Sequence, residues 1–398
     1  MSEPFLPILR FIALSDVHYR DEDSHVRERM AKALRIAYRL AAQSQVYQGL
    51  DALCVVGDFA DRGSEAQFKA FKQTLEEGLR PGTKAIFCMG SHEYMSSGPE
   101  AACEKLQRYF GQAPDIHTVI HGFHFIALSP SKGTQFHQEK LDWAAAELAK
   151  AAADAPRRPI FFCQHPHISD TVYGSILWGE PELTPILMNY PQVVNFSGHS
   201  HAPVNDPRSI HQRHFTCLGT GTLDYFEMDE FDKYYGTFPP EKGQAAQFLL
   251  VEADAQGRVR VTPYDILTDR PFPFVWKIDE PWEPRSFPHT NAKRRAAALP
   301  HCFAEGTPCR VEGSALTFGQ ARAAQEYVND YLVRVRRGDE IVRQIALWSG
   351  YHLMDMPKTL TVELGGLAPG VEYSYEITAR GFWDNESADK LCGSFTAI

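Results

Sequence analysis

Ile8-Leu-Arg-Phe-Ile-Ala-Leu14 runs directly into Ser15-Asp16-Val17-His18. An apolar run of this kind reads as a strand buried on both faces, and it delivers its polar residues at the C-terminal end. The same grammar recurs downstream. Ala52 to Val56 ends in Gly57-Asp58-Phe59-Ala60-Asp61-Arg62-Gly63, and Ala85 to Met89 ends in Gly90-Ser91-His92-Glu93. Ile160 to Cys163 ends in Gln164-His165-Pro166-His167, and Val193 to Phe196 leads through Ser197 to Gly198-His199-Ser200-His201. Each group of acids and imidazoles therefore occupies a strand-to-loop junction.

Helical stretches are expected between these strands, over 24–43, 64–79, 99–110 and 138–153. In the second, Phe68, Phe71, Leu75 and Leu79 recur at the spacing of a buried stripe, with Lys69, Lys72, Glu76 and Glu77 opposite. Alternating strands and helices predict an α/β unit, whose ligands gather outside the carboxyl ends of the strands. That rule places all five motifs on one rim.

At 398 residues the chain is long enough for two domains. Its formal charge of -10 disfavours non-specific attraction to nucleic acid or to an anionic membrane. Basic runs such as Lys293-Arg294-Arg295 read as solvated faces. Cys54, Cys88, Cys163 and Cys217 lie in apolar runs, where a thiol behaves as a small hydrophobe, and no Cys-x-x-Cys pair occurs. Met1 to Arg10 has no signal-peptide pattern, and no stretch approaches the ~20 apolar residues of a membrane span. A cytoplasmic location is the expectation.

After Asp265 prolines alternate with aromatics, as in Pro271, Phe272, Pro273, Phe274 and Trp276, which predicts an extended strap. Beyond residue 301 the apolar period becomes two. Tyr331, Val333 and Val335 show it, as do Leu360, Val362 and Leu364, and Tyr373, Tyr375, Ile377 and Ala379. This predicts an all-β sandwich. The segment Leu367-Ala-Pro-Gly-Val-Glu-Tyr373 resembles the corner of a fibronectin type III domain, where a tyrosine ties loop to sheet.

Carboxylates and imidazoles suit divalent cations such as Mn²⁺, Fe²⁺ and Zn²⁺. Gly57, Gly90 and Gly198 supply backbone without a Cβ where an ion must be approached closely. In their order and spacing the five motifs resemble those of the calcineurin-like metallophosphoesterase superfamily, over roughly residues 8–265. That resemblance implies a β-sandwich core flanked by helices and a dinuclear metal site. Asp16, His18 and His201 would hold one metal and His165 and His199 the other, with Asp58 bridging. Ser91 stands where the family carries an asparagine whose carbonyl ligates the second metal. A hydroxyl is neutral and one bond shorter, so a weaker second site is expected.

Two cations about 3.5–4 Å apart would clamp a phosphate, acidify a bridging water to hydroxide and stabilise the leaving oxygen. His92 is the candidate to protonate that oxygen or hold the phosphate. Arg62 is placed either on a phosphate oxygen or in a brace with Asp61 or Glu93. Asp61 and Glu93 are expected to orient ligand imidazoles, and His167 to line the pocket. The expected activity is hydrolysis of a phosphodiester or phosphomonoester, with small molecules, nucleotides among them, as substrates.

Met89 sits where protein phosphatases carry an arginine, and Asp61 where purple acid phosphatases carry a metal-bound tyrosine. The competing expectation is a catalytically weak metal-binding protein that grips a partner through its C-terminal sandwich. The resulting division is a phosphoesterase domain over 1–268, a strap over 269–300 and a fibronectin type III-like sandwich over 301–398.

Overall fold

The computed structural model describes residues 3–20, 25–229 and 236–398. The chain divides into two compact units, Met1–Thr290 and Asn291–Ile398.

The first unit begins with β1 (Pro7–Leu14), α1 (His25–Gln43), β2 (Ala52–Val56), α2 (Glu65–Gly78), β3 (Lys84–Cys88) and α3 (Gly98–Phe110). It continues with β4 (Ile116–Ile120), β5 (Phe123–Ala127), α4 (Gln138–Asp154), β6 (Ile160–Cys163) and β7 (Val193–Ser197). Next come β8 (Ile210–Gln212), β9 (Thr216–Gly219), β10 (Gln247–Asp254), β11 (Val259–Asp265), β12 (Arg270–Pro271) and β13 (Trp276–Ile278). The four long helices fall where hydrophobic periodicity predicts them, although Ser24, in the first predicted stretch, lies outside the described residues. Ser64 is the N-cap of α2 rather than its first residue. It forms a capping box with Gln67, which satisfies amides that the first turn would otherwise leave open.

One sheet has the order β12-β11-β10-β1-β2-β3, with β13 also on β11. β1, β2 and β3 are parallel, and β10 and β11 add antiparallel neighbours. The other sheet has the order β8-β9-β7-β6-β5-β4, with β5, β6, β7 and β9 parallel. The alternation of β1 shows how the layers are built. Phe11 packs edge-on against Phe125, Phe161 and Phe196 of the opposite sheet, at ring-centroid distances of 5.1, 4.8 and 5.7 Å. Its neighbours Ile12 and Leu14 point the other way, into the core shared with α1, α2 and α3. The second sheet buries Ile126, Ile160 and Phe162 against Ala144, Leu148 and Ala151 of α4. The result is a β-sandwich with helices on its outer faces. β4, β5, β10 and β11 carry none of the five motifs and were not assigned from sequence.

The proline-aromatic segment is not a single strap. β12 and β13 extend the first sheet through pairing with β11, Phe272, Trp276 and Phe287 are buried, and the boundary between units falls after Thr290.

The second unit contains β14 (Cys309–Glu312), β15 (Ala315–Gly319), β16 (Asp330–Arg337), β17 (Glu340–Trp348), β18 (Thr359–Glu363), β19 (Glu372–Arg380) and β20 (Leu391–Thr396). They form a three-stranded sheet, β14-β15-β18, and a four-stranded sheet, β17-β16-β19-β20, paired antiparallel throughout. The predicted period-two residues Tyr331, Val333, Val335, Tyr373, Tyr375 and Ile377 line the common core. The Tyr373 hydroxyl accepts a hydrogen bond from Ala368 N–H at 3.1 Å. Among the described residues, no helix is long and apolar enough to cross a membrane.

Candidate metal centre

Five strands of the sandwich stop just short of the motifs: β1 at Leu14, β2 at Val56, β3 at Cys88, β6 at Cys163 and β7 at Ser197. The loops that follow are cross-tied through their backbones. Asp16 N–H donates to Gly57 C=O, His18 N–H to Asp58 C=O and Gly198 N–H to His165 C=O. Asp16, His18, Asp58, His199 and His201 all have φ between 49° and 73°. This left-handed region costs an L-residue about 1–2 kcal/mol, although Asp and His tolerate it better than most. Strain of this kind gathers at sites whose surroundings over-determine it.

Side chains meet in three groups whose donor atoms lie within 4.8 Å of one another: Asp16, His18 and His201; Asp58, His165 and His199; and His18, Asp61 and His92, which shares His18 with the first. In the first, Asp16 Oδ1 is 3.3 Å from His201 Nε2, and the Nε2 atoms of His18 and His201 are 3.0 Å apart. In the second, His165 Nε2 is 2.9 Å from Asp58 Oδ2. Asp16 Oδ1 is also 3.9 Å from both His18 Nε2 and His165 Nε2, so its carboxylate reaches towards both groups.

Backbone carbonyls select the tautomers. His165 Nδ1–H donates to Val56 C=O at 2.8 Å, His201 Nδ1–H to Tyr225 C=O at 2.9 Å and His92 Nδ1–H to Asp61 C=O at 2.6 Å. A ring that donates from Nδ1 presents a lone pair at Nε2, the form that binds a metal. His165 Nε2 and His18 Nδ1 are buried without an aligned hydrogen-bond partner, although Asp58 Oδ2 is close to the former. Glycines make the packing possible: a Cβ at Gly57 would collide with the His165 ring, one at Gly90 with Asp58 and His165, and one at Gly198 with Ser15 and Asp16.

The electrostatics favour a cation. Burial pushes the Asp16 carboxyl above its ordinary pKa, and the nearby Asp58 charge adds to this. Burial also pulls His18 well below the usual imidazole range and His199 down to about 3, with His201 and His165 respectively reinforcing it, so both rings are neutral. Asp58 and His165 behave differently. Burial opposes charge on each, but their mutual attraction overrides it, holding the Asp58 carboxyl well below its usual range and raising His165 to about 10. Without metal, a proton on His165 thus supplies the positive charge between them. The donor set, the open lone pairs and the glycine cradle fit a pair of divalent cations.

The neighbouring residues revise several expectations. Glu93 touches no ligand imidazole. Its carboxylate accepts from the N–H groups of Asp58 (3.1 Å), Ala60 (2.8 Å) and Gly90 (2.7 Å), tying the second and third motif loops together. Burial first, and then the Asp58 charge, raise Glu93 to about 7 against those three donors. Asp61 does approach an imidazole, with Oδ1 3.8 Å from His18 Nδ1. His167 does not line an open pocket. It is buried, with its two ring nitrogens on the hydroxyls of Ser197 (2.8 Å) and Ser200 (2.7 Å), which steadies the loop carrying His199 and His201. Arg62 is 79% exposed, and the acid beside it is Asp61, at 3.8 Å.

His92 is 27% exposed, with Nε2 4.0 Å from Asp58 Oδ2 and its backbone N–H on Asp58 Oδ1. Ser91 begins the short turn His92–Tyr94 and makes no side-chain capping bond.

Other participants escaped the sequence reading. Ser15 Oγ donates to Asp16 Oδ2, and Thr222 Oγ1 donates to the Asp16 carbonyl. Trp178 stands edge-on to His199 at 5.0 Å, and Tyr225 lies 4.3 Å from the His201 ring. Thr222 belongs to the Gly219-Thr220-Gly221-Thr222 loop, whereas Tyr225 had no local signal.

Residues 9–203 match the family model described as Calcineurin-like phosphoesterase. A purple acid phosphatase from yellow lupin (Lupinus luteus) seeds is similar in structure at 13% identity and a TM-score of 0.48, covering 68% of this chain and 53% of that one. The chain thus spans about half the length of the lupin protein. PhoD is similar at 10% identity and a TM-score of 0.41, with 69% of each chain covered. No curated protein sequence matches significantly. The family match covers the same strand-end loops that bring the acids and imidazoles together, and it falls within the first unit of the chain.

Proposed function

We propose that the protein hydrolyses a phosphoester with two divalent cations. Asp16, His18 and His201 hold one of them, Asp58, His165 and His199 the other, and Ser91 leaves the second weaker. The carrying observation is the convergence of two three-residue donor groups, with Asp16 Oδ1 within 3.9 Å of imidazoles from both. Asp58 is read as the bridge because its charge offsets cation repulsion.

When bound, the cations supply Lewis acidity towards the phosphate and an acidified water. The chain's own groups do the rest. His92 donates its Nδ1–H to Asp61 C=O, which leaves Nε2 to hold a proton for the leaving oxygen. Glu93 fixes the loops that carry Asp58 and Ser91. Arg62, on its exposure, is read as a flank of Asp61. The second unit is read as a fibronectin type III-like sandwich, supported by its two antiparallel sheets and by the Tyr373 hydroxyl on the Ala368 amide.

The test is turnover of bis(p-nitrophenyl) phosphate and p-nitrophenyl phosphate with Mn²⁺, and again after EDTA. Activity should vanish with EDTA and return with Mn²⁺. Asp58→Asn should lower kcat on the order of 10³-fold, as expected for loss of a charge that organises transition-state stabilisation. Turnover indifferent to EDTA or to this substitution would favour the recognition reading instead.

A further inference from the structure

Beside the first donor group lies a cleft of about 460 Å³, within the range of small-molecule sites. It shares walls with that group. Tyr225 presents its ring to His201 at 4.3 Å and to His18 at 6.1 Å, while its carbonyl accepts His201 Nδ1–H. On the other side Arg20 Nε is 3.4 Å from Asp61 Oδ1, the carboxylate that approaches His18. Tyr225 and the Arg20–Asp61 pair join the cleft to the donor group, which puts it within reach of a group bonded to a phosphate held there.

The lining has a definite chemistry. Phe238 is 54% exposed and stands edge-on to Tyr225 at 5.5 Å, so two aromatic rings meet at the cleft. The Lys242 ammonium lies 3.5 Å from the Phe238 centroid and 5.8 Å from that of Tyr225. Arg29 donates to the carbonyls of Leu223, Asp224, Gly243 and Ala245, which fixes the wall without cancelling its charge. Among the described residues Asp224 is the acid of the lining, and it is engaged by Arg20 and His25. Among the described residues no carboxylate lies within ion-pair distance of Lys242 or Arg29. Among the described residues the lining is therefore aromatic and carries more cations than carboxylates, on a chain whose overall charge is negative.

We infer that this cleft binds the organic arm of the ester, and that the arm it selects carries a flat ring with a negative charge at its edge. Tyr225 and Phe238 offer the ring an aromatic surface, and Lys242 meets the charge. The inference rests on the phosphoesterase reading only for the position of the phosphate.

The test is calorimetric binding of non-hydrolysable probes to the Mn²⁺-loaded full chain: methylphosphonate, phenylphosphonate and 4-carboxyphenylphosphonate. Phenylphosphonate should bind roughly ten-fold tighter than methylphosphonate, and the added carboxylate should tighten binding roughly three-fold more. Phe238→Ala should bring the phenyl-to-methyl ratio close to one and Phe238→Tyr should keep it. Lys242→Gln should remove the carboxylate increment. Phe238 is half in solvent, so its replacement leaves the core intact. Equal affinity for phenyl and methyl probes, a ratio unmoved by Phe238→Ala, or no binding of either probe overturns the inference. Selective binding without turnover of any ester would leave the cleft standing and remove the phosphoesterase reading.

Discussion

The two donor groups are built from the same residue types but are held differently. Around Asp16, His18 and His201 two imidazoles face each other through Nε2, and burial, then His201, hold His18 well below the usual imidazole range. Around Asp58, His165 and His199 a carboxylate faces an imidazole at 2.9 Å, and their attraction outweighs burial and raises His165 to about 10. Ser91 follows Gly90 in the loop packed against Asp58, and its hydroxyl stands where the resemblance implies an amide carbonyl. The same residue types thus sit in different surroundings.

The largest effect that would sharpen this contrast comes from Gly90→Ala. The added methyl meets Asp58 and His165 together, so the second group must open while the first is untouched. Turnover should fall roughly 10²-fold, and the second metal should be lost while the first is retained. Loss of both in metal counting would show that the halves are not separable. Next is Ser91→Asn, which restores the longer carbonyl arm. At controlled free Mn²⁺ the second metal should bind about ten-fold tighter with the first unchanged, and equal affinities in the parent protein would break the comparison outright. The smallest effect is expected from Arg62→Ala on the flank of the first group. With the side chain 79% exposed, kcat/KM should change by less than about two-fold. A loss above ten-fold would place its guanidinium on the substrate.

Much of this was legible in the chain. Apolar runs ending in Asp or His marked five strand ends, because a buried strand can expose polar residues only where it leaves the sheet. The stripe of α2 announced its buried face through the spacing of Phe68, Phe71 and Leu75. The capping box at Ser64 is equally local. Other parts were not legible. The hairpin β4–β5 and the pair β10–β11 complete the two sheets, yet nothing in their chemistry ties them to the site. Glu93 looked like a partner for imidazoles because acids often are; the fold instead brought three amides to it from two loops. His167 was likewise enclosed between two serine hydroxyls.

The sequence by itself determined which donors exist, in what order, and where glycine leaves room for them, since these are properties of short segments. Only the tertiary structure decided which nitrogen of each ring faces its neighbours, and that one donor group sets imidazole against imidazole and the other carboxylate against imidazole. The reason is physical. The acceptors that choose the tautomers of His165, His201 and His92 are the carbonyls of Val56, Tyr225 and Asp61. Every residue carries a carbonyl, so no side-chain pattern marks these three. Folding alone brings Val56 to an imidazole more than a hundred positions along the chain.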